Sequence, residues 1–437
     1  MEIVIKATQF ILSLSFLIVL HELGHFIPAK LFKTRVEKFY LFFDYKFSLV
    51  KKKFGDTVYG IGWIPLGGYV KISGMIDESM DTEQMKQPAQ PWEFRSKPAW
   101  QRLIIMLGGV IVNFILGILI YIMITFVWGV DFVKPDGVKE GFAVHESFKE
   151  YGFKDGDKIT KFNGAEPLDV TDVNKHLFLR DITSLEVAHK NGITETINIP
   201  ENIGEIMWEN GVMKPFSPIS LPILAAIEAD SPADKAGLQK DDKIISVNNT
   251  PVSFWHEFTQ LVLASKSDLN ISFERDGNIN NLTIIPREDR TIGVQQNGLS
   301  SVDVEHKDYS FLESISTGNS IAIWTLKDYI TQFKYVFTKK GATSIGGFIA
   351  IGNIFPATWS WQAFWSITAF LSIMLGFMNL LPIPALDGGH VMFTLYEMVT
   401  GRKPNDKFLE YAQITGFILL IALLLLANGN DIVKLFS

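Results

Sequence analysis

The sequence has no cysteine among its 437 residues. This absence excludes a disulfide framework and thiolate metal ligands, so a metal ion could be held only by histidine, aspartate or glutamate. Positive charge is also in short supply, with 40 Lys and Arg against 47 Asp and Glu and a formal net charge of −7. That balance gives no electrostatic basis for binding nucleic acid. We therefore expect no nucleic-acid partner.

Apolar residues are abundant and occur in long runs. They make up 47% of the chain, and the mean hydropathy is +0.19. A helix needs about 20 apolar residues to cross a bilayer, and four segments approach or exceed that length: 3–29, 103–130, 361–381 and 414–427. No small-residue cleavage site follows the first run, which favours a retained helix over a signal peptide. The sequence thus predicts a multi-pass α-helical membrane protein with about four transmembrane helices.

The short loops predict the orientation of these helices. Lys and Arg are frequent between residues 30 and 97 and recur as Arg402, Lys403 and Lys407 after the third span. Short loops rich in these residues face the cytoplasm. Both termini and the long segment from about residue 131 to 359 are then predicted to be extracytoplasmic.

Three polar residues, His21, Glu22 and His25, end the first apolar run. Residues four apart share one helix face, so His21 and His25 can bind one metal ion with Glu22 beside it as general base. A charged residue at membrane depth costs about 2.5–3.5 kcal/mol, whereas structural zinc binding contributes about 10 kcal/mol or more. The alternative is a chance match to HExxH, which this position at the end of an apolar helix disfavours.

A zinc hydrolase uses three protein ligands, and the third is sought at similar depth. The third span ends in a segment where Pro382 and Pro384 break the helix and Asp387 is followed by two glycines. The loop charges place this end on the same side as His21. Asp387 is therefore the predicted third ligand, with His390 as its rival.

The long segment between the second and third spans contains a repeat. Residues 152–164 (GFKDGDKITKFNG) recur 85 positions later as residues 237–249 (GLQKDDKIISVNN). Each copy reads as turn, short strand and turn, followed by a helical stretch. The second copy, with Ser231-Pro232-Ala233 before it, resembles a bacterial PDZ domain. Such domains bind extended peptides at a sheet edge. The alternative is that both copies serve only as spacers or steric filters.

Two other segments carry local patterns. Residues 59–73 hold two β-prone arms around Pro65, Gly67 and Gly68, which predicts a β-hairpin apolar enough to associate with the membrane. The alternative is a surface hairpin. Residues 315–337 have apolar positions three and four apart, which predicts an amphipathic helix. It could lie on the outer membrane surface or pack on the PDZ pair.

The two polar motifs together resemble one family. HELGHF at residues 21–26 and NLLPIPALDGG at residues 379–389 are similar to the site-2 protease family of intramembrane zinc metalloproteases, peptidase family M50. Two tandem PDZ domains resemble the regulator-of-sigma-E protease branch, and residues 64–70 resemble its membrane-reentrant β-loop. The resemblance implies one Zn²⁺ per chain bound by His21, His25 and Asp387, with Glu22 as catalytic glutamate and Asn379 as a substrate-binding residue.

The resemblance also implies a domain order and a function. The order is an N-terminal membrane part (1–130), two PDZ domains (131–212 and 213–298), an amphipathic helix with a connector (299–358) and a C-terminal membrane part (359–437). The expected activity is cleavage of single-span proteins in the bacterial inner membrane, such as trimmed anti-sigma factors or remnant signal peptides.

An unwound substrate would need new backbone partners in lipid, which the hairpin at Gly67, Gly68, Tyr69 and Val70 could provide. Two other functions are considered. One is a transporter that relays protons through the polar residues, and the other is a PDZ scaffold whose metal site has decayed. The HExxH spacing disfavours the first, and the intact ligand set disfavours the second.

Overall fold

The computed structural model describes residues 1–75, 87–265, 267–296 and 301–436. The chain divides into two compact units. One, here called the membrane unit, comprises Met1–Gly129 and Asp308–Ser437, and the other, the inserted unit, comprises Val130–Lys307.

The described residues form helices and strands that are numbered here in chain order. The α-helices are α1 Glu2–Leu31, α2 Ala99–Trp128, α3 Glu146–Lys149, α4 Val173–Leu179, α5 Ile203–Asn210, α6 Pro232–Ala236, α7 Trp255–Ala264, α8 Phe311–Phe333, α9 Lys339–Ser344, α10 Phe348–Ile354, α11 Trp361–Leu380, α12 Asp387–Thr400 and α13 Asp406–Phe436. The strands are β1 Val36–Phe43, β2 Val50–Phe54, β3 Thr57–Ile61, β4 Ile64–Ile72, β5 Val130–Phe132, β6 Phe142–Val144, β7 Lys158–Phe162, β8 Ser184–Ala188, β9 Thr194–Asn198, β10 Phe216–Pro218, β11 Leu224–Ile227, β12 Lys243–Val247, β13 Thr250–Pro251, β14 Leu269–Arg275, β15 Asn278–Ile284, β16 Val294–Gln296 and β17 Glu305–Lys307.

Four helices of the membrane unit, α1, α2, α11 and α13, are long and apolar enough to cross a bilayer. The four predicted spans correspond to these helices, and the fourth is longer than predicted, at Lys407–Lys434. Helix α2 packs against both α1 and α11. Helices α1 and α2 cross closely at two glycines, because a β-carbon on Gly24 would lie 2.4 Å from the carbonyl oxygen of Gly108. The chain is a multi-pass membrane protein built around α2.

A four-stranded sheet follows α1, with strand order β2-β3-β1-β4. Strands β3 and β4 do not pair with each other, because β1 lies between them, parallel to β3 and antiparallel to β4. The predicted hairpin around Pro65 is therefore wrong. Gly67 and Gly68 lie inside β4, where a β-carbon would come within 2.6 Å of the Phe43 ring or of Ile18. These glycines therefore do not form a turn. They let an extended strand pack closely against its neighbours. Strand β4 forms one edge of the sheet.

Helix α8 corresponds to the predicted amphipathic helix. It packs against α2, where Gly318 lies on the backbone of Ile122. It also packs against α11, where the Tyr329 ring lies 6.1 Å from that of Phe370 and 5.5 Å from that of Phe377. Its apolar stripe thus contacts two membrane helices, an environment that neither predicted placement included.

The two copies of the repeat in the inserted unit fold alike. The first forms the sheet β7-β8-β9 and the second the sheet β13-β12-β14-β15. The pairing of β7 with β8 and of β12 with β14 is interrupted at equivalent positions, after Ile159 and after Ile244. The last acidic residue of each copy, Asp157 or Asp242, accepts a backbone N–H three residues earlier at 2.8 Å.

The copies differ in the cation that binds this buried aspartate. In the second copy, the Arg275 guanidinium donates to both oxygens of Asp242 at 2.7 Å. In the first, the equivalent place holds His189, whose Nδ1 lies 2.7 Å from Asp157 and whose Nε2 lies 3.1 Å from Glu195. Arginine stays charged at any physiological pH, whereas histidine titrates there. Hydrogen bonds to Asp157 and Glu195 raise the pKa of His189.

This difference predicts a pH-dependent stability for the first copy only. A histidine whose pKa is raised on folding stabilises the fold fully below its unfolded value of about 6.5, and the contribution is lost as pH rises through the folded value. Hydrogen exchange of the full chain, corrected for intrinsic rates, should show β7 and β8 opening severalfold more often as pH rises from about 6.5 through the raised pKa of His189. Strands β12 and β14 serve as the internal control. His189→Arg should remove the dependence, and equal pH dependence in both copies would contradict it.

Candidate metal centre

Helix α1 brings two imidazoles together, as the spacing of four predicts. The Nε2 atoms of His21 and His25 lie 3.2 Å apart, and both side chains are buried. Helix α2 comes this close because residue 109 is glycine, where a β-carbon would lie 2.3 Å from Nε2 of His25. The pair therefore lies against the backbone of the neighbouring span and is buried.

Asp387, from the C-terminal segment of the membrane unit, lies beside the two histidines. It is the first residue of α12, after the segment that Pro382 and Pro384 keep from being helical. In that segment Ala385 has a left-handed backbone with φ of 79°, and its N–H donates to the side-chain oxygen of Gln413 on α13 at 3.2 Å.

The Asp387 Oδ2 atom lies 3.4 Å from Nε2 of His21 and 3.3 Å from Nε2 of His25.

These three atoms form a nearly equilateral triangle with edges of 3.2 to 3.4 Å. A tetrahedral zinc ion with bonds of about 2.0–2.1 Å separates its ligand atoms by about 3.3–3.4 Å. The carboxylate distances are long for charge-assisted hydrogen bonds, which measure about 2.7–2.9 Å. The triangle therefore has the dimensions of three ligands around one ion. His390 is not a member of this cluster of ligand atoms.

A cavity of about 760 Å³ opens onto the triangle. The carboxylate of Glu22 accepts a hydrogen bond from the backbone N–H of Val70 on β4. The Asn379 amide nitrogen lies 3.4 Å from Nε2 of His21. The structure thus brings the predicted catalytic, metal-binding and substrate-binding residues to one cavity, whose walls include His21, Glu22, His25, Gly67, Gly68, Tyr69, Val70, Asn379, Asp387 and His390.

Comparison with known proteins identifies the family. The model of peptidase family M50 matches residues 9–423. The chain belongs to peptidase family M50. It is similar to the regulator of sigma-E protease RseP of Escherichia coli, at 29% identity over 98% of each chain. It is also similar to the regulator of sigma E protease of Haemophilus influenzae, at 29% identity and the same coverage, and to a putative zinc metalloprotease of Thermotoga maritima, at 26% identity over 98% of this chain and 99% of that one.

Family membership makes the chain a zinc metalloprotease of the membrane. This agrees with the protease interpretation of the sequence and not with a transporter or an inactive scaffold. The donor set of the triangle, two imidazoles and one carboxylate, is one that catalytic zinc sites use.

Three residues that contact this centre were not predicted from the sequence. Gly109 and Asn113 of α2 lie against the histidine pair, and Gln413 holds the backbone before Asp387. A polar side chain inside an apolar span is itself a sign of function, so Asn113 could have been selected for attention. The contact between Asn113 and His21 could not have been predicted, because the two residues are 92 positions apart in the chain.

Proposed function

We propose that this M50 protease hydrolyses peptide bonds within the transmembrane segments of single-span membrane proteins. In this proposal His21, His25 and Asp387 bind one zinc ion, and Glu22 acts as general base. The observation that carries it is the triangle of three ligand atoms beside Glu22, placed among helices apolar enough to cross a bilayer. Trimmed anti-sigma factors and remnant signal peptides are suitable substrates, and the similarity to two regulators of sigma-E proteases supports the former.

The chemistry assigns separate roles to the residues of the cavity. Zinc, when bound, lowers the pKa of its water to about 7 and so supplies hydroxide at neutral pH. Glu22 takes the proton and passes it to the leaving amine. The backbone N–H of Val70 lies beside the Glu22 carboxylate. Asn379 carries both a donor and an acceptor, which suits it to a backbone group of the substrate.

Cleavage requires the substrate helix to unwind, because the carbonyl under attack is otherwise held in an intrahelical bond. An unwound segment leaves costly unpaired backbone groups in an apolar environment. Strand β4 offers partners, since it is an edge strand that lines the cavity. The Val70 N–H points to Glu22, so this edge of β4 faces the place where the bond is cut. We propose that the substrate adds to the sheet along β4.

The inserted unit supplies the remaining part of the proposal. Its two similarly folded copies are proposed to be PDZ domains on the extracytoplasmic side of a bacterial inner membrane. They would bind extended peptides of the substrate or act as a filter that rejects bulky substrates. The predicted domain boundaries at residues 212 and 298 remain predictions.

The proposed function is tested by incubating the purified protein with fragments that carry one transmembrane segment. Mass spectrometry of the products locates the cut. A single cut inside the apolar segment supports the proposal, whereas cuts confined to the flanking polar residues contradict it.

Strand addition at β4 predicts a register that cross-linking can measure. Because the chain has no cysteine, single-cysteine variants need no background removal. Tyr69→Cys and Lys71→Cys are chosen because both residues line the cavity, and Glu22→Gln is added to keep the substrate whole. Paired strands place side chains opposite each other at about 4.5–5.5 Å between β-carbons. Cysteines scanned along the substrate should therefore cross-link to the two variants at positions two residues apart.

The control is Lys52→Cys on β2, at the opposite edge of the sheet, which should give no cross-links. Optimal positions three or four residues apart would indicate a helical substrate, and cross-linking without any preferred position would indicate no fixed register. Either result would exclude strand addition along this part of β4.

A further inference from the structure

Asn113 is a fully buried polar residue in the middle of α2 whose side chain is half satisfied. Its amide nitrogen lies 3.0 Å from Nδ1 of His21. Its Oδ1 atom is buried and has no hydrogen-bond partner among the described residues. A buried acceptor without a donor is destabilising, so the orientation of this amide needs an explanation.

The chemistry of a metal-bound histidine supplies one. An imidazole that gives its Nε2 lone pair to a metal carries its proton on Nδ1, which must then donate. The amide of asparagine can turn by 180° without changing shape, and this exchange puts Oδ1 where the nitrogen was. Oδ1 then accepts the Nδ1 proton of His21. The rotation pairs Oδ1 with the Nδ1 proton, moves the amide NH2 to the unpartnered side and leaves Nε2 of His21 free for the ion.

The second histidine follows the same rule. Nδ1 of His25 lies 2.8 Å from the backbone carbonyl of Ile105, which can only accept. This contact fixes the proton of His25 on Nδ1 and directs its Nε2 towards the triangle. Both contacts come from α2, one from its backbone and one from a side chain. By analogy with the carbonyl of Ile105, the partner of His21 is expected to accept the proton of Nδ1.

We propose that Asn113 is a positioning residue that sets the tautomer of His21 by accepting its Nδ1 proton through Oδ1. The backbone carbonyl of Asn113 separately accepts a hydrogen bond from the hydroxyl of Ser372 on α11 at 2.7 Å, a contact between the two spans that does not involve the amide. The inference rests on the proposed role of His21 as a zinc ligand. It concerns how tightly the site binds metal, and it does not depend on which substrate is cut.

The test compares zinc affinity in Asn113→Leu and Asn113→Asp. Leucine matches the size of asparagine without an acceptor, whereas aspartate keeps an acceptor in either orientation. Competition with a chelator of known affinity should show zinc bound about 10–100-fold more weakly by Asn113→Leu, the usual effect of losing such a partner. Asn113→Asp should bind zinc as tightly as the wild type or more tightly. The absorption spectrum of the Co²⁺-loaded protein reports the ligand set independently of activity.

Ser372→Ala is the packing control, because it removes the neighbouring hydrogen bond and leaves the amide in place, and its zinc affinity should be unchanged. All variants are compared only where their metal-free melting matches the wild type. Unchanged affinity in Asn113→Leu, or equal weakening in folded Leu and Asp variants, would overturn the inference. A His21→Ala protein that still binds zinc would instead remove the ligand assignment on which the inference rests.

Discussion

Glu22→Gln is expected to retain about one zinc per chain and to lose cleavage by at least about 10³-fold, within the range of about 10²–10⁴ that a general base contributes. Glutamine keeps the shape of the side chain, and its carbonyl oxygen can still accept the hydrogen bond that Val70 donates to Glu22. It cannot take a proton from water. The expected result is therefore an intact metal centre without turnover, measured by elemental analysis and by cleavage of a single-span fragment.

A matched variant separates this effect from the general cost of removing a charge. Glu397 on α12 pairs with Arg102 at 2.6 Å and does not line the cavity of the metal centre. Glu397→Gln should retain cleavage within a few fold of the wild type. Substantial turnover by Glu22→Gln would mean that another group accepts the proton, and the role given to Glu22 would be wrong.

The features that the sequence predicted well depend on local periodicity. His21 and His25 meet because residues four apart share a helix face, and the four spans follow from the length of apolar runs. The position of Asp387 required one further step, the inference that two span ends face the same side. The observed distances of 3.3 and 3.4 Å from Asp387 to the two histidines agree with that inference.

The sheet was mispredicted because glycine occurs both in turns and in strands that pack closely against a neighbour. Gly67 and Gly68 after Pro65 are typical of a turn, and the local pattern offers no reason to prefer a strand. Their role in β4 is set by Phe43 and Ile18, which leave no room for a β-carbon. Contacts of this kind join distant residues, so a local pattern cannot reveal them. The same holds for α8, whose apolar stripe predicts burial without naming α2 and α11 as its partners.

Substitution of any of the three proposed ligands should lower the zinc content of the protein. His21→Ala, His25→Ala and Asp387→Ala should each lower zinc from about one per chain to well below half, because each removes one corner of the triangle. Asp387→Asn is included because it keeps the volume of the side chain at the start of α12 and removes the charge, so a loss of zinc in both variants reports coordination instead of folding.

His390→Ala is the control for Asp387, because His390 lines the same cavity only three residues away on the same helix. It should keep its zinc. If Asp387→Ala kept zinc while His390→Ala lost it, the third ligand would be the histidine. That outcome would require the start of α12 to rotate, since Ala385 and Gln413 now hold the preceding backbone where it directs the aspartate towards both imidazoles.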